Sequence, residues 1–188
     1  MKKEKTKEKS LIVRAAENSL MADLSVMIIC CFAGVIAKKL INPFANAATG
    51  FLHVPGGIST AVSLMFLVIA SIITKRKWCA SAMGIMQAGA ALALGSVGSM
   101  GMLMPLAYLI PAVVIDIVML VPGEFVRLKA YAANILSSVS AAVFANLVVF
   151  HLPGKALTVY IMLAALTGAI MGFAAGIIGC TFAKKYKK

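Results

Sequence analysis

The feature that most constrains this chain is its punctuation: long apolar runs broken by short basic or turn-rich stretches. A helix that crosses the hydrocarbon core of a bilayer needs about 20 residues. The runs end or fall at about 37, 57–74, 79–95, 102–121, 131–150 and 156–182, which makes six candidate spans. The breaks are Lys38-Lys39, Lys75-Arg76-Lys77, the glycine hinge GSVGSMG at 95–101, Pro122-Gly123 and His151-Leu152-Pro153-Gly154. Of the 188 residues, 62% are apolar and only 13% are charged. A water-soluble globule of this size could not hide that much apolar surface in one core. Disorder, collagen and a disulfide scaffold are excluded by the same composition.

The expected architecture is an all-α integral membrane protein: one membrane domain over residues 1–188 with six transmembrane helices. Residues 1–10 read as a mobile basic leader, 11–23 as an interfacial lead-in and 183–188 as a basic tail. Residues 38–56 form the longest polar interval and read as a loop. Ala45-Asn46-Ala47 resembles a signal-peptidase site, but the leader is long and contains acids, and Lys38-Lys39 interrupts the cleavage region. Orientation follows from the positive-inside rule. With the N-terminus in the cytoplasm, fifteen Lys and Arg residues lie inside and only Lys38, Lys39 and Lys155 lie outside. Both termini are therefore expected in the cytoplasm. The net charge of +12 is accounted for by these clusters, so nucleic acid is not the expected partner.

Motifs for chemistry are missing. The chain has no GxxxxGK[ST] loop, no HExxH, no GxSxG and no CxxC pair. The four cysteines read as small buried apolar residues. His53 and His151 fall in expected external loops with no acid beside them, so neither a metal nor a cofactor is expected. A membrane enzyme would need a paired acid or a nucleophile, and neither is evident.

A few polar residues inside the runs are candidates for ligand contact. Asp116 is the one carboxylate deep in a span, where a charged Asp costs about 2.5–3.5 kcal/mol on insertion scales. It is either a ligand contact, such as a counter-ion for a cationic ligand, or a hydrogen-bonded structural group. Gln87 sits near the centre of the third run. Asn134, Ser138, Ala142 and Asn146 make one stripe on the fifth, and such stripes are more often interhelical glue than ligand sites. Asn146, Tyr160 and Tyr108 fall toward the outer face at the depth of the 38–56 loop. The expectation is an outward-open pocket roofed by that loop, with His53, Gln87, Tyr108, Asp116, Asn146 and Tyr160 as substrate-binding candidates. Small-residue ridges run through Ala33 and Ala37 and through Ala164, Gly168, Gly172 and Gly176. They allow close backbone approach, either within the bundle or to a partner.

In these features the chain resembles the substrate-binding (S) subunits of energy-coupling factor importers. The matching elements are the basic leader, Ala33-Gly34-Val35-Ile36-Ala37, and the long interval leading to His53-Val54-Pro55-Gly56-Gly57. The TKRKW turn, the glycine-rich middle and the KKYKK tail also match. The resemblance implies a prokaryotic plasma-membrane protein that is not itself an enzyme. It would capture a micronutrient, a vitamin or precursor, from outside. It would then dock on a transmembrane coupling subunit carrying two ATPase subunits, with Ala33 and Ala37 facing the coupling subunit. The Met-His start of the cobalt and nickel members is absent, which disfavours a metal substrate. The alternative is a self-sufficient small transporter or channel working as an oligomer.

Overall fold

A computed structural model describes residues 2–50, 57–93 and 98–186, with side chains placed for 19–44, 59–93 and 101–186. Among them the chain forms six α-helices and no strand. These are α1 (Lys2–Gly50), α2 (Gly57–Thr74), α3 (Cys79–Ala93), α4 (Met104–Leu120), α5 (Val126–Ala145) and α6 (Gly154–Tyr186). A 3₁₀ segment, Gly98–Leu103, leads into α4, and one π-helical turn, Asn146–Phe150, closes α5.

The bundle is inverted relative to a water-soluble one. On α6, Met162, Leu166, Ile170 and Phe173 are each more than half exposed. Ala164, Gly168, Gly172 and Gly176 on the same helix are buried. Large apolar side chains point outward because lipid is as apolar as they are, and small residues point inward because they let backbones meet. At Gly172 an added Cβ would lie 3.0 Å from the Tyr131 Cα and carbonyl oxygen, so α5 and α6 touch through this ridge. The ridge is therefore occupied inside the bundle.

α2 is the central helix. Ala61, Leu67, Val68 and Ala70 are at most 1% exposed, and the helix packs against α1, α5 and α6. A helix apolar all round has to be buried on all sides. Four segments are long and apolar enough to cross a membrane: Ser19–Phe44, Gly101–Leu120, Val126–Phe150 and Gly154–Tyr186. The apolar helices Ser59–Thr74 and Cys79–Ala93 are shorter. In α2 the shortness goes with burial, since a helix wrapped by its neighbours need not match the bilayer by itself.

The largest departure from the sequence reading is at the end of α1. The helix does not stop at Lys38-Lys39; it continues through Pro43 to Gly50, within the interval expected as a loop. Charged residues end the apolar stretch that lipid tolerates, but they do not break a helix. The N-terminal leader likewise has helical backbone from Lys2. With 49 residues at about 1.5 Å rise each, α1 is about two and a half times as long as the hydrocarbon core is thick.

Side-chain contacts divide the bundle into two ends. At the basic end, buried Asp23 of α1 pairs with Arg76 of the α2–α3 turn and accepts a hydrogen bond from Tyr186 at the end of α6 (3.3 Å). The α2–α3 turn reverses through left-handed Lys75 (φ 55°) and Trp78 (φ 63°). At the far end, α1 meets the start of α2 through Asn42 and Ser59 and the first half of α4 through Lys38 and Tyr108. Successive helices thus run in alternating directions.

Candidate functional site

The far end of the bundle holds a column of polar side chains drawn from four helices. α1 contributes Gly34, Lys38 and Asn42, spaced by four and hence on one face. α2 contributes Ser59 and Ser63, also four apart. α3 and α4 contribute Gln87 and Tyr108. Three tiers result. In the first, the Ser59 hydroxyl donates to Asn42 Oδ1 at 2.9 Å. In the second, Lys38 Nζ donates to the Tyr108 hydroxyl at 3.3 Å and stands 4.5 Å from the centre of its ring. In the deepest, Ser63 donates to Gln87 Oε1 at 3.4 Å.

Two features of this column stand out chemically. Gln87 is 1% exposed, and its Nε2 has no hydrogen-bond partner. A buried donor left unpaired costs roughly 1–3 kcal/mol. The amide reaches its position because residue 34 is glycine: an added Cβ there would lie 2.8 Å from Nε2. The second feature is the charge of Lys38, which is half-buried over an aromatic face. Among the described residues the one ion pair is Asp23–Arg76, so no carboxylate neutralises Lys38. The column therefore presents an unpaired amide N–H group and a cation, the complement of a ligand with a carbonyl-type acceptor and a negative group.

Of the six substrate-binding candidates expected from sequence, the structure brings Gln87 and Tyr108 together in this column. Asp116 lies elsewhere. It is two helical turns beyond Tyr108 on α4, and its two carboxylate oxygens accept the backbone N–H groups of Ala80 (3.1 Å) and Ser81 (2.7 Å). Those N–H groups belong to the first turn of α3, where the helix itself offers no acceptor. Asp116 is thus a cap supplied from another helix, at the basic end. Asp116 therefore stands away from the column, whose charge is positive and not suited to a cationic ligand.

Asn146 and Tyr160 also have local partners. Asn146 Oδ1 accepts the Leu152 N–H at 2.8 Å, and its carbonyl accepts the His151 N–H at 2.9 Å. Together they close the α5–α6 turn around left-handed His151 (φ 46°). Tyr160 is buried against Ala142 and Ala164 and meets the Phe150 ring edge-on, with centroids 6.1 Å apart. His53 lies outside the described residues, as does the part of the expected 38–56 roof beyond Gly50.

The stripe on α5 is largely glue. Asn134 Nδ2 donates to the Gly168 carbonyl at 3.0 Å, while Asn134 Oδ1 and Ser138 Oγ have no partner at this tight crossing. Ala33 and Ala37 are half-buried on α1, beside the exposed side chains of Phe32, Ile36 and Leu40. Among the described residues no group of three His, Cys, Asp or Glu side chains is placed to hold a metal ion.

Sequence reasoning missed Lys38, Asn42, Ser59 and Ser63. The spacing of four from Gly34 through Asn42 was available as a signal, but only to a reading that carried α1 past Lys38. No family model, curated protein or solved structure matches this chain.

Proposed function

We propose that this chain is a substrate-capture subunit of the energy-coupling factor type, holding a small micronutrient in the polar column between α1, α2, α3 and α4. The observation that carries the reading is the unpaired Gln87 amide against Gly34, one helical turn along α1 from the uncompensated Lys38 cation. Such a pair is costly in an apolar bundle and has an evident use once a ligand supplies the acceptors. The ligand carries a carboxylate or a comparable anionic group together with a carbonyl-type acceptor.

Capture alone does not move a solute against its gradient. The chain contains no phosphate-binding loop, so the energy comes from a partner. In this reading the partner is a membrane coupling subunit with two ATPases, met by the α1 face around Ala33 and Ala37. The charge count orients the column toward the outside.

The test is purification of the full chain in mild detergent from cells grown on rich medium. Mass spectrometry of the small molecules it retains, and of the proteins that accompany it, follows. A retained anionic nutrient and an accompanying ATPase-linked membrane subunit support the proposal. Solute flux through liposomes containing the chain alone would overturn it in favour of a self-sufficient oligomeric transporter or channel.

A further inference from the structure

At the opposite end from the column, the α2–α3 turn, the last turns of α4 and the first turn of α5 line a half-open cavity of about 240 Å³. Four of its lining residues are cationic: Lys75, Arg76 and Lys77 from one turn and Lys129 from the first turns of α5. Arg76 is partly neutralised by Asp23. Lys75, Lys77 and Lys129 have no ion-pair partner among the described residues. The one acid in the wall, Asp116, has both oxygens engaged by the α3 backbone.

Topogenic charge explains why basic residues lie at this end. It does not explain why the α2–α3 turn and the first turn of α5 bring four of them to one cavity. The size of the cavity argues for a small ligand: pockets for drug-sized molecules run to about 300–1,000 Å³. The rim argues for its source. Trp78, 55% exposed, and Leu120, 42% exposed, belong to the same wall. An exposed tryptophan beside a cationic cluster is the usual furniture of a membrane–water boundary. A charged group can sit in the cavity while its hydrocarbon stays on the apolar side of that rim.

We propose that this cavity is a binding site for a phosphate-bearing anion, and that its source is the headgroup of an anionic phospholipid of the adjoining leaflet. Basic pockets between transmembrane helices bind such headgroups by the same combination of charge and depth. The lysines supply charge-assisted hydrogen bonds to the phosphate oxygens, and Arg76 is already oriented by Asp23. Occupancy would tie the α2–α3 turn to the first turn of α5, two segments far apart along the chain. The site is independent of the capture role proposed for the far end.

The test uses the purified full chain and three probes: phosphatidylglycerol, phosphatidylcholine and inorganic phosphate. Retention of lipid is read by native mass spectrometry, and stabilisation by the thermal midpoint in detergent. The expected result is one phosphatidylglycerol retained in preference to phosphatidylcholine, with a raised midpoint. The double variant Lys77→Gln/Lys129→Gln should weaken that retention about ten- to thirtyfold. Lys184→Gln/Lys185→Gln removes the same charge from α6, outside the cavity, and should leave retention unchanged. Equal loss in both double variants, or equal retention of the two lipids, overturns the site. Full stabilisation by inorganic phosphate, with no further gain from phosphatidylglycerol, overturns the lipid as its source.

Discussion

Lys38 of α1 lies over the ring of Tyr108 of α4, its Nζ 4.5 Å from the ring centre and 3.3 Å from the phenolic oxygen. The contact joins residues 70 positions apart and leaves the ammonium with donors to spare. A cation over an aromatic face gains about 0.5–2 kcal/mol, more as water is removed. That attraction holds the cation in place without neutralising it.

The first prediction follows from that geometry. Lys38→Met keeps the stem of the side chain and removes the charge. If the ammonium meets a buried ligand, retention of the co-purified molecule should fall by about ten- to hundredfold, the equivalent of roughly 1–3 kcal/mol. The thermal midpoint of the ligand-free protein should fall only modestly, since the Tyr108 contact, worth about 0.5–2 kcal/mol, is lost while no carboxylate is left unpaired. A midpoint that collapses together with retention would make Lys38 a structural group.

Gly34→Ala separates fold from function more sharply. The added methyl would lie 2.8 Å from Gln87 Nε2, and the flexible end of the glutamine must move away. Alanine is about 1 kcal/mol better than glycine inside a helix. The methyl would also lie 3.3 Å from the Ser63 carbonyl oxygen, which offsets part of that gain, so stability measured by thermal unfolding should change by less than about 1 kcal/mol while ligand retention drops. Unchanged retention would remove the Gln87 amide from the site.

Asp116 should behave as a cap. Asp116→Ala strands the Ala80 and Ser81 N–H groups in the protein interior, and stability should fall by about 1.5–3 kcal/mol. Asp116→Asn keeps one acceptor oxygen and should recover part of the loss. Ligand affinity of the folded fraction, measured by calorimetry, should be the same in both variants. A selective loss of affinity in Asp116→Asn would return the residue to the binding site.

Two glycines test the inverted packing. Gly172→Ala sets a methyl 3.0 Å from backbone atoms of Tyr131, which cannot rotate away, so α5 and α6 must separate. A loss of about 1–3 kcal/mol is expected. Gly89→Ala meets nothing within 4 Å and should be neutral or stabilising by up to about 1 kcal/mol. Thermal unfolding of the pair in one detergent checks both.

Topology can be mapped on a cysteine-free background. Lys39→Cys and Lys155→Cys should label from one face of the membrane, Lys77→Cys and Glu124→Cys from the other. Labelling of Lys39→Cys and Lys77→Cys from the same face would mean that α2 does not cross.

Much of the fold is written in the order of the residues. The apolar runs at 57–74 and 102–121 and the ends near 150 and 182 appear as helices within a few residues, because a helix in lipid is specified by local composition alone. The ridge Ala164-Gly168-Gly172-Gly176 is likewise visible as a spacing of four, and burial against α5 is what such spacing serves. Lys38-Lys39 misled because the sequence marks where apolar character ends, whereas a helix ends only where its backbone is interrupted.

The site was legible in part and for the same reason. Gln87 and Tyr108 stand out as polar groups in apolar runs, and that rarity is a property of sequence. Whether such a group awaits a ligand or already has a partner depends on what another helix brings to it. Asp116 meets two free N–H groups of α3 and is satisfied; Asn146 meets the Leu152 N–H and is satisfied; Gln87 Nε2, beside the bare face of Gly34, has no partner. The amino acids alone determined that a few costly polar groups lie within an apolar bundle. Only the packing of the helices on one another decided which of them find a partner, because hydrogen bonds are satisfied across space and not along the chain.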